Sequence, residues 1–247
     1  MSHERVVGAF FDLDGTLLPE PSLERRFFSG LRQSGAIPIG NYLRWSWSAI
    51  GLLPAGLAGV RNSNKQYLHG IRADQIFQHM AEIRFFEEAV ERVAWHARQG
   101  HRVVLMSGTP APLAYLVAVA LGCELEARGV DCPMSVRATV LEEEHGKWTG
   151  KILGPAMFGE AKCVAMKKFA AERGMGLAES YAYGNSLADG PMLAAAGRAQ
   201  VINPGKDMAA MANRQNWPIW HWHQEKRLVP ASAKGAPVKI RRVEGHA

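Results

Sequence analysis

From residue 6 the chain reads VVGAFFDLDGTLLP, an apolar run that stops at two aspartates. Val6 to Phe11 is apolar without alternation, the pattern of a central strand in a parallel sheet covered on both faces. Beyond residue 85 two kinds of apolar pattern alternate. EEAVERVAWHARQG predicts a helix ending at Gly100, HRVVLMSG a short strand running into a turn, and PLAYLVAVALG a buried helix. EAKCVAMKKFAAERG then predicts an amphipathic helix, SYAYGNS a strand and turn, DGPMLAAAG a helix start and AQVINPG another strand. This rhythm predicts an α/β fold, a doubly wound parallel sheet with crossover helices. In such sheets ligands bind beyond the carboxyl ends of strands, and Asp12, Ser107 and Asn185 all fall at such positions.

Two segments break the rhythm. VRATVLEEEHGKWTGKI (136–152), with Gly146 near its turn, predicts a hairpin projecting beside the sheet. Residues 19–85, inserted after the first strand, carry helical patterns in SLERRFFSGLRQSG and ADQIFQHMAEIRFFEEAV and predict a small helical cap. NRQNWPIWHWHQEKR predicts a closing strand whose aromatics cover the sheet edge. His221 and His223 share one face of it, without further ligands nearby for a metal site. The expected organisation is a catalytic core at 1–18 and 86–222, the cap at 19–85, and a flexible basic tail at 223–247.

At 247 residues and 47% hydrophobic composition the chain can bury a full core, which excludes disorder throughout. No apolar stretch reaches the roughly 18 residues that span a bilayer, and the N-terminus lacks the apolar region of a signal peptide. The expectation is a soluble, cytoplasmic protein. Three cysteines without a CxxC pair support neither a disulfide framework nor a structural zinc. The net charge of +6 changes the picture once divided. Residues 224–247 carry six Lys/Arg against two Glu, residues 19–85 carry eight against four acids, and the remainder is net negative. Basicity therefore lies outside the predicted core.

Four short stretches hold the candidate chemistry. Asp12 and Asp14 are like charges two positions apart at a buried strand's end, which is costly without a cation, a proton or strong hydrogen bonds. Ser107, Gly108 and Thr109 end a strand with a hydroxyl and closely spaced backbone N–H groups, suited to phosphate oxygens as well as to an ordinary helix cap. Lys162 opens an amphipathic helix, where most lysines are surface residues. Asn185 and Asp189 follow a strand and offer oxygen donors suited to a hard cation, or a capped turn.

Taken in this order, DLDGT, the strand-ending Ser-Gly, the lysine and YGNSLADGPML resemble the four motifs of the haloacid dehalogenase-like (HAD) superfamily, over about Val6 to Gly205. The helical insertion directly after the first motif, with GPAMFGEAK, resembles subfamily IB, the group of phosphoserine phosphatase. The resemblance implies that Asp12 is the nucleophile, forming an aspartyl-phosphate, and that Asp14 is the general acid and base. It implies Mg²⁺ held by Asp12, Asp14, Asn185 and Asp189, and phosphate bound by Ser107, Gly108 and Lys162. One departure is Asn185, where many relatives have Asp; it offers a carbonyl oxygen without a charge.

The resemblance implies that the cap decides the substrate. Where phosphoserine-hydrolysing relatives have a glutamate nine residues after the nucleophile, this chain has Pro21, with Glu20 and Glu24 on either side. NYLRWSWSAIGLLPAGLAG brings Tyr42, Arg44, Trp45 and Trp47 beside an apolar stretch. A helical core with packed Trp is the favoured reading, ahead of an apolar entrance or a face lying on a membrane. The resulting expectation is a Mg²⁺-dependent phosphomonoester hydrolase acting on a small-molecule or lysolipid-type phosphate. No specific nucleic acid is expected as partner, and the cap or basic tail is a candidate for peripheral membrane contact. The alternative, from another class, is a catalytically weak scaffold that binds anionic surfaces.

Overall fold

The computed structural model describes residues 6–52, 64–80 and 82–228. The strands are β1 (Gly8–Phe11), β2 (Ile83–Phe86), β3 (Arg102–Pro110), β4 (Met134–Glu144), β5 (Lys147–Leu153), β6 (Tyr181–Gly184), β7 (Arg198–Ile202), β8 (Ile219–Trp220) and β9 (Glu225–Leu228). The helices are α1 (Leu23–Gln33), α2 (Ile39–Leu52), α3 (Ile76–His79), α4 (Glu87–Arg98), α5 (Ala111–Ala127), α6 (Glu160–Glu172), α7 (Gly190–Ala195) and α8 (Lys206–Gln215).

Seven strands form one sheet in the order β5-β4-β3-β1-β6-β7-β8. All neighbours are parallel except the β4–β5 hairpin. All four residues of β1 are buried. Phe11 faces the side covered by Val90 and Val93 of α4 and Leu113 and Val117 of α5. Phe10 faces the opposite side, against Met166 and Phe169 of α6, Met192 of α7 and Met208 of α8. Both faces are covered, which is why the strand's sequence does not alternate. The chain moves outward from β1 through β3 and β4, then returns to β1's other edge as β6. The carboxyl end of β1 is thus a topological switch point.

The hairpin predicted over 136–152 is β4–β5. Its two-residue turn, His145 and Gly146, has φ of 53° and 76°, the doubly left-handed geometry that matches strand twist. Its outer strand holds the insertion: Gly70 N donates to Trp148 O at 2.8 Å, and Trp148 N to Ile71 O at 2.9 Å. Gln66 Nε2 adds a bond to Gly150 O at 3.1 Å.

Four expectations are corrected. The helix predicted over ADQIFQHMAEIRFFEEAV is broken into a 3₁₀ turn (Ala73–Gln75), α3, the strand β2 and only then α4. Buried Ile83, Phe85 and Phe86 suit a strand as well as a helix, and β2 finds an antiparallel partner in β9. The cap boundary at 85/86 therefore runs through a strand. The tail expected from 223 starts with β9, and Val229 onward lies outside the described residues. The closing strand of the aromatic segment is shorter than expected: β8 is two residues long and pairs with β7, while His221 and His223 lie beyond it, exposed, with stacked rings 6.2 Å apart. Finally, α2 does not pack its tryptophans as a core. Trp47 is 80% exposed and Trp45 43%. Leu53 to Gly59 of that apolar stretch lie outside the described residues. Among the described residues no helix is long and apolar enough to cross a membrane.

Candidate active site

β1 ends at Asp12, whose N–H continues the sheet by donating to Tyr183 O at 3.0 Å. The chain then folds tightly on itself, with the N–H groups of Thr16, Leu17 and Leu18 all reaching Leu13 O. Gly15 makes this possible: its φ is +82°, and a Cβ there would lie 1.9 Å from Asn185 Nδ2. The DLDG turn is thereby pressed against the loop after β6. Ser107 and Thr109 come from the end of β3, Lys162 from the first turn of α6, and Asn185 and Asp189 from beyond β6. All of these residues and Gly108 line one cavity of about 680 Å³, which the insertion roofs with residues including Glu24, Phe28, Trp45 and Tyr67.

Lys162 Nζ bridges two buried carboxylates, at 2.6 Å from Asp12 Oδ1 and 2.7 Å from Asp189 Oδ1. Burial disfavours the ammonium, but the two carboxylates outweigh it and hold the lysine charged, above its ordinary range. Burial, then the neighbouring Asp189 charge, push Asp12 up to about 7, against the pull of Lys162. One lysine does not offset this much buried negative charge.

Asp14 is fixed from two directions. Its Oδ1 accepts from Leu23 N, the first residue of α1, at 2.6 Å, and its Oδ2 accepts from Thr109 Oγ1 at 2.9 Å. Burial raises its affinity for a proton, and these two bonds oppose the shift only in part. The same carboxylate therefore ties the insertion to β3. Ser107 Oγ accepts from Thr109 N at 3.1 Å.

Asp189, the second expected cation ligand beyond β6, is hydrogen-bonded at both oxygens. Its Oδ1 faces Lys162, and its Oδ2 accepts from Ser186 Oγ (2.8 Å), Ser186 N (3.1 Å) and Asn185 N (3.2 Å). With both oxygens engaged, it holds the lysine and the loop that presents Asn185. Gly184 gives it room, since a Cβ there would lie 2.5 Å from Asp189 Cβ. Among the described residues no group of three or more His, Cys, Asp or Glu is arranged to hold a metal. A small hard cation needs fewer carboxylates than that, because it keeps several waters.

In the roof, Glu24 is already matched within the protein. Lys65 Nζ lies 2.6 and 2.7 Å from its two oxygens, and Tyr67 OH donates to Oε1 at 2.7 Å. Lys65 is buried. Burial, then the Glu24 charge, keep Tyr67 protonated, well above the usual phenol range. Sequence reasoning missed the anchoring roles of Thr109, Ser186, Lys65 and Tyr67. The local hint for Thr109 was its place two residues after Ser107, and for Ser186 its place three before Asp189.

A family model described as haloacid dehalogenase-like hydrolase matches residues 9–194. The chain is similar to a Mycobacterium tuberculosis protein named a probable phosphatase, at 29% identity over 92% of this chain and 80% of that one. It is also similar to a phosphoserine phosphatase of the same organism, at 26% identity over 85% of this chain and 69% of that one. A solved structure of a phosphoserine phosphatase as a phospho-aspartyl intermediate analogue superposes with a TM-score of 0.55 at 18% identity, covering 87% of this chain and 93% of that one. That likeness bears on the fold.

Proposed function

The chain belongs to the haloacid dehalogenase-like hydrolases, and on that premise we propose that it is a Mg²⁺-dependent phosphomonoester hydrolase working through a phosphorylated Asp12. The observation that carries this reading is the buried Asp12–Lys162–Asp189 bridge at the cavity floor, beside an Asp14 held at both oxygens.

An Asp12 oxygen attacks phosphorus as the bond to the leaving oxygen breaks, and protonated Asp14 gives its proton to that oxygen. Asp14, now a carboxylate, takes a proton from the incoming water, which attacks phosphorus and releases phosphate and Asp12. The raised proton affinity of Asp14 suits the first of these roles. Lys162, Ser107 and the Gly108 backbone hold the phosphoryl oxygens as charge builds on them. Asp189 keeps Lys162 aimed and charged.

The donor set fits Mg²⁺: it is all oxygen, and the buried charge at Asp12 exceeds what Lys162 offsets. Asp12, the Asp14 main-chain oxygen and Asn185 would hold the ion. When bound it neutralises the anionic carboxylate and ester so that they can meet.

The leaving group lies toward the roof. Because Glu24 is neutralised by Lys65 and hydrogen-bonded by Tyr67, it is poorly placed to read a substrate ammonium, which disfavours phosphoserine. Phe28, Trp45 and Tyr67 offer apolar surface instead, favouring a lysolipid-type or similarly apolar small-molecule phosphate. The test is phosphate release from phosphoserine, histidinol phosphate and lysophosphatidic acid, with Mg²⁺ or chelator, by wild type and Asp12→Asn. Metal-dependent release that the variant lacks supports the reading; release by the variant at the wild-type rate overturns it.

A further inference from the structure

Helix α2 presents its apolar face to water. Ile39, Leu43, Trp47 and Ile50 are 82, 71, 80 and 60% exposed. At about 100° per residue, their spacing of four, four and three confines them to an arc of about 80°. The other side of the helix makes the inward contacts. Asn41 is buried and donates Nδ2 to the carbonyls of Tyr67 at 3.1 Å and His69 at 2.7 Å, and Trp45 reaches the cavity lining. A helix of a water-soluble domain normally buries its apolar stripe. Here an asparagine is buried while isoleucine, leucine and tryptophan are not, and a contiguous apolar patch of this kind marks an interaction surface.

Charge selects the occupant. From Arg25 to Ala73 the sequence holds seven Lys/Arg and no Asp or Glu. Lys65 is paired with Glu24 and Arg72 with Asp74, and Arg25 lines the cavity, but Arg44 on α2 and Arg32 on α1 are exposed. A second copy laid face to face would set these like charges against each other. The boundary between acyl chains and anionic headgroups offers apolar depth and counter-charge together, and is a zone that tryptophan favours.

We propose that the exposed face of α2 docks this protein on an anionic lipid surface. Ile39, Leu43, Trp47 and Ile50 enter the headgroup boundary, and Arg44 meets lipid phosphates. Trp45, on the same helix, keeps the cavity beside that surface. Docking requires no turnover, so it stands or falls separately from the hydrolase reading.

The test is flotation of the full chain with vesicles of phosphatidylcholine alone or of equimolar phosphatidylcholine and phosphatidylglycerol, for wild type and the double variant Leu43→Ser/Trp47→Ser. Both side chains are exposed and neither lines the cavity, so the variant keeps its fold, as circular dichroism and unchanged turnover of a soluble ester would verify. Wild type is expected to float with the anionic vesicles and progressively less as salt is added. The double variant should bind about tenfold more weakly or worse, the loss expected when two large apolar side chains no longer leave water. Three results overturn the proposal: wild type that fails to float with anionic vesicles, full flotation of the double variant, or a concentration-dependent dimer that the double variant abolishes.

Discussion

The floor and the roof of the cavity are built on opposite principles. The floor gathers Asp12, Ser107, Lys162 and Asn185 from the carboxyl ends of neighbouring parallel strands and the helix that leads into β6, each fixed by backbone turns and buried hydrogen bonds. The roof hangs from the β4–β5 hairpin and from one carboxylate, Asp14, and its own ion pair, Glu24–Lys65, is internal. Chemistry that must hold charges in place belongs on the rigid sheet. On the proposed function, selection of the leaving group falls to the insertion, where residues change without disturbing the strands.

If the floor carries the chemistry, its variants fail first in rate. Asp12→Asn should lower turnover by about 10³-fold or more while the protein still folds, because the nucleophile is gone and Lys162 keeps Asp189. Lys162→Met should cost about 10²-fold or more in rate and also about 3 kcal/mol in stability, since it strands two buried carboxylates; urea unfolding beside steady-state assays separates the two losses. The roof should answer differently. Glu24→Gln removes the charge that Lys65 is buried against, at a cost of roughly 1–3 kcal/mol, and should raise KM more than it lowers kcat. An equal fall in kcat and kcat/KM would move Glu24 into the chemical step.

The floor's charge also has a pH signature. Asp12 is raised from 3.8 to about 7, so the folded state binds the extra proton between those values and metal-free stability falls as pH rises through that window. Mg²⁺ should reverse the cost. The rise in Tm on adding Mg²⁺ should be larger above pH 7 than well below it, and smaller in Asp12→Asn. Behind the floor, His96 has the opposite sign. Burial, then the charges of His101 and Arg92, lower it from 6.5 to about 3, so the unfolded chain takes up the proton first. Its contribution is complete above 6.5 and is lost as pH falls toward 3, which a Tm series over that range reads as acid destabilisation.

Most of the floor was legible because each motif is local. DLDGT, MSG, FGEAK and YGNSLAD each hold their residues within a few positions of one strand or helix end, and alternation of periods supplied the sheet. What stayed hidden depends on partners far along the chain. Thr109 reaches Asp14 across 95 positions, and Lys65 reaches Glu24 across 41. β2 became a strand because β9 pairs with it, a choice that the apolar run IRFF does not make alone. The tryptophans of α2 misled for a related reason. Helical spacing of apolar residues defines a face, but composition is silent on what covers it.

The role of Asp12 can be read on the enzyme itself. Wild type mixed with a turned-over phosphomonoester and Mg²⁺, quenched in acid and digested, should yield a phosphorylated peptide whose modification lies on Asp12 and is released by hydroxylamine. The same peptide from Asp12→Asn should carry none. A phosphoryl group on another residue, or turnover of the ester by Asp12→Asn at the wild-type rate, would contradict the nucleophilic role of Asp12.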